Sequence, residues 1–121
     1  MDNYILIVGD HLNVKSGASI LLEKKLNSVS AFEVHNFRDA FLACHTIIFD
    51  LVILDINLSF GRKCKVIETL RNLQKNVKIV MFLAQEENVY ALRYIKAGAN
   101  EFLSKCNTNS ALVKAVEKVL E

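Results

Sequence analysis

The sequence predicts an α/β fold in which a parallel five-stranded sheet is covered by helices on both faces. Short apolar runs alternate with amphipathic stretches along the 121 residues, and this alternation is typical of parallel strands joined by right-handed crossovers. Two of the runs, Leu51–Leu54 and Ile79–Leu83, contain no polar residue, as expected for strands that are buried on both faces. A chain of this length buries enough surface to fold as one domain.

Five strands are predicted, and their patterns differ. The first, Tyr4–Val8, is almost wholly aliphatic, whereas the second, Ala31–Phe37, alternates apolar and polar residues, which suits a half-exposed edge strand. The third and fourth strands are Asp50–Asp55 and Lys78–Leu83, and the fifth is the short segment Asn100–Ser104.

Five helices are predicted from apolar residues that recur with the helical period. The first four cover Leu12–Leu26, Arg38–His45, Arg62–Gln74 and Glu86–Ala97. Gly98 ends the fourth helix, because a glycine readily adopts the left-handed conformation of a helix C-cap. Thr108 is predicted to cap the N-terminus of the fifth helix. The apolar face of that helix comprises Leu112, Val113, Val116 and Leu120.

The predicted elements fit a flavodoxin-like (βα)5 sheet with strand order 2-1-3-4-5, because this order puts the alternating second strand at an edge. The topological switch point then lies between the first and third strands, where ligands bind in open α/β sheets. Gly9 and Asp10 follow the first strand, Asp55 ends the third, and Lys105 follows the fifth. Two carboxylates and one ammonium are therefore predicted at one sheet edge, as a site for a divalent cation and an anion.

Composition argues against several functional classes. The net charge of +2 and the scattered lysines do not predict direct nucleic-acid binding. No apolar run approaches the ~20 residues of a membrane span, and no secretory signal is present, so a cytoplasmic location is expected. Cys44, Cys64 and Cys106 lack partners at metal-ligand spacing, which predicts neither disulfides nor zinc.

Three stretches make the chain resemble the receiver domain of bacterial two-component response regulators. They are Ile5–His11, Asp50–Leu58 and Leu92–Lys105. The resemblance covers essentially the whole chain and is strongest to the NarL/FixJ (LuxR-type) transcription factors. It implies a CheY-like three-layer sandwich and a single receiver domain over residues 1–121, compatible with the N-terminal part of a longer transcriptional regulator.

The resemblance also implies roles for individual residues. Asp55 would accept a phosphoryl group from a sensor histidine kinase, and Lys105 would pair with a phosphoryl oxygen. Asp10, Asp55 and the backbone carbonyl of Asn57 would hold Mg²⁺, a cation that binds through carboxylates and phosphate oxygens. The domain would act as a relay rather than as an enzyme, with a C-terminal DNA-binding output domain or a homodimer reading its state.

Several positions depart from the family pattern, and three of them concern the phosphorylation pocket and its switch. Receivers usually carry an acidic pair after the first strand, but Gly9 replaces the first member, which predicts weaker Mg²⁺ binding. Leu83 stands where the family has Ser or Thr, so no hydroxyl at that position can hydrogen-bond a phosphoryl oxygen. Phe102 occupies the aromatic switch position on the fifth strand but lacks a hydroxyl.

Two functional hypotheses follow from these departures. In the first, Asp55 is phosphorylated with Mg²⁺ and the change of state is relayed. In the second, the chain is a pseudo-receiver, a phosphorylation-independent interaction or dimerisation module that Leu83 holds in one conformation. Tyr90 and Tyr94, four residues apart in the fourth helix, are interpreted either as a covered aromatic pair or as part of a partner surface.

Overall fold

A computed structural model describes residues 3–9, 22–26, 28–55, 58–104 and 109–120. Within these residues it contains a five-stranded, wholly parallel sheet of order β2-β1-β3-β4-β5. The strands are β1 (Asn3–Gly9), β2 (Val29–Val34), β3 (Leu51–Asp55), β4 (Lys78–Leu83) and β5 (Glu101–Ser104). The predicted fold class and strand order are therefore confirmed.

The described helices lie between the strands and after β5. The first, α1, is described over residues 22–25, so most of the predicted Leu12–Leu26 helix lies outside the described residues. The others are α2 (Phe37–Thr46), α3 (Phe60–Leu73), α4 (Ala91–Ala97) and α5 (Asn109–Leu120). The proposed cap Thr108 is likewise outside the described part of the chain.

Several predicted boundaries differ from the observed ones by one or two residues, and two elements differ more, for local reasons. The second strand was expected to reach Phe37, but β2 ends at Val34 and Phe37 begins α2. Asn36 is the N-cap, and its side-chain oxygen accepts a hydrogen bond from the Asp39 N–H at 2.8 Å. The predicted helix Glu86–Ala97 is also divided, because a 3-10 helix, Gln85–Tyr90, precedes α4.

The sheet separates two apolar cores and forms the middle of three layers. Side chains of Leu6 and Val8 face the core under α2, α3 and α4, whereas Ile5 and Ile7 face the core under α1 and α5. This alternation follows from the two-residue period of a strand. The three-layer sandwich is therefore confirmed for the part of the chain that the structure describes.

Arg71 fixes the connection from α4 to β5. Its guanidinium donates hydrogen bonds to the Gly98 carbonyl at 2.7 Å and to Asn100 Oδ1 at 2.7 Å, and it also donates to the Val77 carbonyl. Gly98 has a φ of 132°, as predicted for a glycine that ends a helix. These contacts set where β5 enters the sheet beside β4.

A membrane span is absent from the described helices, none of which is long and apolar enough to cross a bilayer.

Candidate functional site

Asp55 lies at the C-terminal end of the central strand and is 7% exposed. All five residues of β3 are buried, so the apolar strand carries a carboxylate to the sheet edge. In the parallel ladder Asp55 is the partner of Gly9, the last residue of β1. The structure thus brings Asp55 and Gly9 together at the switch point between β1 and β3, where α/β sheets bind ligands.

The other proposed ligands, Asp10, Asn57 and Lys105, lie outside the described residues. Their positions in the chain still tie them to described strand ends. Asp10 follows Gly9, the end of β1, and Lys105 follows Ser104, the end of β5. The roles of these three residues stay predictions.

The ends of β4 and β5 have a different character. Leu83 is fully buried and belongs to the core under α2, α3 and α4. It is paired in the ladder with Ser104. Phe102, beside Met81, is 40% exposed. At the position where the resemblance implies a hydroxyl, β4 therefore contributes an apolar side chain to the core.

A buried polar cluster beside this region was not predicted. Lys63 on α3 is 3% exposed and forms an ion pair with Glu87 in the 3-10 helix. Tyr94 on α4 donates a hydrogen bond from its hydroxyl to Glu87 Oε2 at 3.3 Å. A sequence signal existed, because Lys63 shares the helical face of Val66, Ile67 and Leu70, all buried.

Electrostatics in the cluster favour a charged Glu87 and a neutral Tyr94. Burial acts to raise the pKa of Glu87, but the hydrogen bond and the positive charge of Lys63 outweigh it and hold that pKa below its usual value. Burial, followed by the negative charge of Glu87, raises the pKa of Tyr94. The tyrosine is therefore a hydrogen-bond donor across the physiological range.

Aromatic rings extend the contact between α3 and the segment that leads into α4. The Phe60 ring lies 4.6 Å from that of Tyr90 and 5.6 Å from that of Tyr94, measured between ring centroids. The Arg93 guanidinium lies 5.6 Å from the Phe60 centroid. Tyr94 is fully buried, so the interpretation of a covered aromatic is correct for this residue.

A parallel 2-1-3-4-5 sheet with a buried aspartate at the switch point defines an α/β domain of the flavodoxin-like class. Residues 5–117 match the family model of the response regulator receiver domain. The chain therefore belongs to the response regulator receiver family. It is the receiver domain of a two-component response regulator, and the predicted resemblance to NarL/FixJ-type regulators is confirmed.

Known relatives and structures agree with this assignment. The chain is 28% identical over 116 residues to Fimbriae Z protein of Escherichia coli K12, covering 96% of this chain and 55% of that protein. It is 27% identical over 115 residues to response regulator UvrY of the same strain, covering 95% and 53%. A two-component response regulator from Clostridium difficile superposes with a TM-score of 0.87 at 24% identity, covering 98% and 96%, which shows the shared fold.

The chain spans about half the length of the curated relatives that it matches. Receiver domains typically bind Mg²⁺ at their phosphorylation site and interact with histidine kinases. These are properties of the family.

Proposed function

We propose that this receiver domain accepts a phosphoryl group on Asp55 from a sensor histidine kinase and relays the change of state. The observation that carries the proposal is the position of Asp55, a buried carboxylate at the C-terminal end of the central strand. A carboxylate oxygen attacks the phosphorus atom of the phosphohistidine, and the nitrogen–phosphorus bond breaks. The imidazole nitrogen keeps that electron pair and takes up a proton from solvent, leaving an acyl phosphate on Asp55.

The donor set fits Mg²⁺, which prefers hard oxygen ligands. Asp55 and Asp10 would each provide a carboxylate, and Asn57 would provide its backbone carbonyl. When bound, the cation offsets the repulsion between the aspartate and the incoming phosphoryl group. Gly9, adjacent to Asp55 in the ladder, supplies no side-chain ligand, so the proposed affinity for Mg²⁺ is lower than it would be with an acidic pair. Lys105 would pair with a phosphoryl oxygen as a point charge.

We propose that the domain acts in signalling rather than in metabolic catalysis. Its proposed location is the cytoplasm. The relatives extend well beyond the matched segment. Together with the similarity to NarL/FixJ-type regulators, this supports a C-terminal output domain that binds DNA in the whole protein. A homodimer is the second proposed reader of the phosphorylated state.

Intact-mass spectrometry tests the proposal directly. The wild-type domain is incubated with Mg²⁺ and acetyl phosphate beside Asp55→Asn, which keeps the shape of the side chain without its charge. Asp39→Asn, an exposed aspartate in the first turn of α2, is the matched control. We expect a gain of one phosphoryl group in the wild type and the control, and none in Asp55→Asn.

A folded wild-type domain that gains no phosphoryl group at saturating Mg²⁺ would contradict the proposal. That result would leave the phosphorylation-independent module as the remaining hypothesis.

A further inference from the structure

The segment 84–90, which joins β4 to α4, is held to α3 through a buried ion pair. Lys63 is on the face of α3 that enters the core, and its ammonium contacts the carboxylate of Glu87. Lys63 is the only buried lysine among the described residues. A buried ammonium is costly unless its charge is compensated, so the position of Glu87 is constrained by that of Lys63.

Glu87 in turn organises the residues on either side of it. Its Oε1 accepts a hydrogen bond from the Ala84 N–H at 3.3 Å, immediately after β4. Its Oε2 accepts from the Tyr94 hydroxyl on α4. One carboxylate therefore links three places in the chain: α3, the end of β4 and α4. A polar network whose members are all satisfied fixes its geometry more sharply than apolar contacts do.

The location of this cluster relates it to the proposed phosphorylation site. Helix α3 begins at Phe60, in the connection that follows Asp55. Phe60 packs on Tyr90 of the 3-10 helix and on Tyr94 of α4. The start of α3 therefore contacts segment 84–97 both through these rings and through the Lys63–Glu87 ion pair. By contrast, the end of β4 carries Leu83, whose apolar side chain is fully buried and cannot form a hydrogen bond.

We propose that the Lys63–Glu87 ion pair is a latch that couples the start of α3 to segment 84–97, so that a change at Asp55 reaches α4 through α3. The latch is inferred from the contacts of Glu87 with Lys63 and Tyr94. Its part in the relay rests on the proposed function.

Stability alone does not explain a buried ion pair at this position. The cost of removing two charges from water largely offsets their attraction, and well-packed apolar residues of similar volume often stabilise a core equally well. The distinctive property of the pair is mutual dependence, because either charge without the other is strongly unfavourable. Because each charge requires the other, a displacement of α3 would also displace the 3-10 helix that carries Glu87.

Hydrogen exchange followed by mass spectrometry tests the latch in the unmodified domain. The variants are Lys63→Met, Glu87→Gln and the double variant. The matched controls are Lys65→Met on an exposed position of α3 and Glu86→Gln in the same 3-10 helix. We expect exchange in segment 84–97 to be at least about tenfold faster in each single variant. The double variant should be no faster than the singles, because both remove one shared interaction.

The latch is overturned if exchange in segment 84–97 stays at the wild-type rate in the single variants. It is also overturned if, in the double variant, exchange rises as much in β1 and β3 as in segment 84–97, which would indicate general destabilisation. If the single variants fail to fold, the neutral double variant decides the question, since it leaves no uncompensated charge. Faster exchange confined to segment 84–97 supports the latch, and wild-type exchange there overturns it.

A second comparison addresses the relay after treatment with acetyl phosphate and Mg²⁺. We expect the wild type and the double variant to gain the phosphoryl group equally, while exchange in segment 84–97 responds only in the wild type. An equal response in both proteins overturns the relay through the latch. A wild-type domain that gains no phosphoryl group overturns the proposed function and the relay with it, while exchange in the unmodified domain still decides the latch.

Discussion

The two halves of the sheet's carboxyl edge have different chemistry. At β1 and β3, Gly9 and Asp55 lie side by side, and the buried strand β3 ends in a carboxylate. At β4, Leu83 extends the apolar core, and Glu87 in the segment that follows it forms an ion pair with Lys63 within the protein. The first half therefore provides the carboxylate that is proposed to react, whereas the described residues at the end of β4 and just after it connect elements of the fold. Substitutions that alter one half at a time test this difference.

The largest expected effect is on stability, from Leu83→Thr. This substitution removes buried apolar volume and introduces a hydroxyl into the core, which should lower the free energy of unfolding by about 3 kcal/mol. Urea denaturation measures the change. Leu92→Thr on an exposed position of α4 is the matched control and should change the stability by less than about 0.5 kcal/mol. A small loss of stability in Leu83→Thr would show that this half of the edge tolerates a polar group. The two halves would then differ less than the structure suggests.

Loss of one charge from the latch should have the next largest effect. Lys63→Met leaves Glu87 without its cation, and we expect a loss of about 2 kcal/mol in the free energy of unfolding, less than for a fully buried pair because the Glu87 side chain is 19% exposed. Denaturation with Lys65→Met as the control measures it. Equal stability of the two variants would mean that the ion pair is dispensable.

An added carboxylate beside Asp55, in the half of the edge formed by β1 and β3, should raise the affinity for Mg²⁺. Gly9→Asp places a second acidic residue beside Asp55, and Mg²⁺ affinity should rise about tenfold, corresponding to about 1.4 kcal/mol. Isothermal titration calorimetry measures the affinity, with Gly9→Asn as the uncharged control. If both variants bind Mg²⁺ equally, Gly9 is not the reason for weak binding.

The smallest expected effect is on the way the free energy of unfolding depends on pH. Because the pKa of Glu87 is lower in the folded domain than its usual value of 4.5, its stabilising contribution is present above that value. It is lost as the pH falls through the lower folded pKa. The difference in unfolding free energy between wild type and Glu87→Gln should therefore shrink on acidification below 4.5. Glu86→Gln should show no such trend, and a difference that grows in acid would contradict the assignment.

Local pattern predicts the elements well where burial dominates. β4 was predicted as Lys78–Leu83, the bounds observed, because a run buried on both faces leaves little ambiguity. The end of β2 was misplaced because the capping of α2 by Asn36 was not recognised. The latch was missed since Lys63 and Glu87 lie 24 residues apart, and only the fold brings them together.

The candidate site was predictable to the extent that strand order determines it. Asp55 and Gly9 are adjacent because β1 and β3 are neighbours in register, which the alternation of strands and helices already implied. The sequence also identified Leu83 as a departure. It could not show that an ion pair joins α3 to the 3-10 helix that follows that leucine, because this depends on side-chain packing between distant elements.

Asp55 is the residue proposed to accept the phosphoryl group, and peptide mapping can identify the acceptor. After incubation with acetyl phosphate and Mg²⁺, reduction with borohydride converts a phosphorylated aspartate to homoserine, and mass spectrometry identifies the modified peptide. We predict conversion at Asp55 alone, and no conversion in Asp55→Asn. Conversion of another aspartate, or no conversion in a folded domain, would show that Asp55 is not the acceptor.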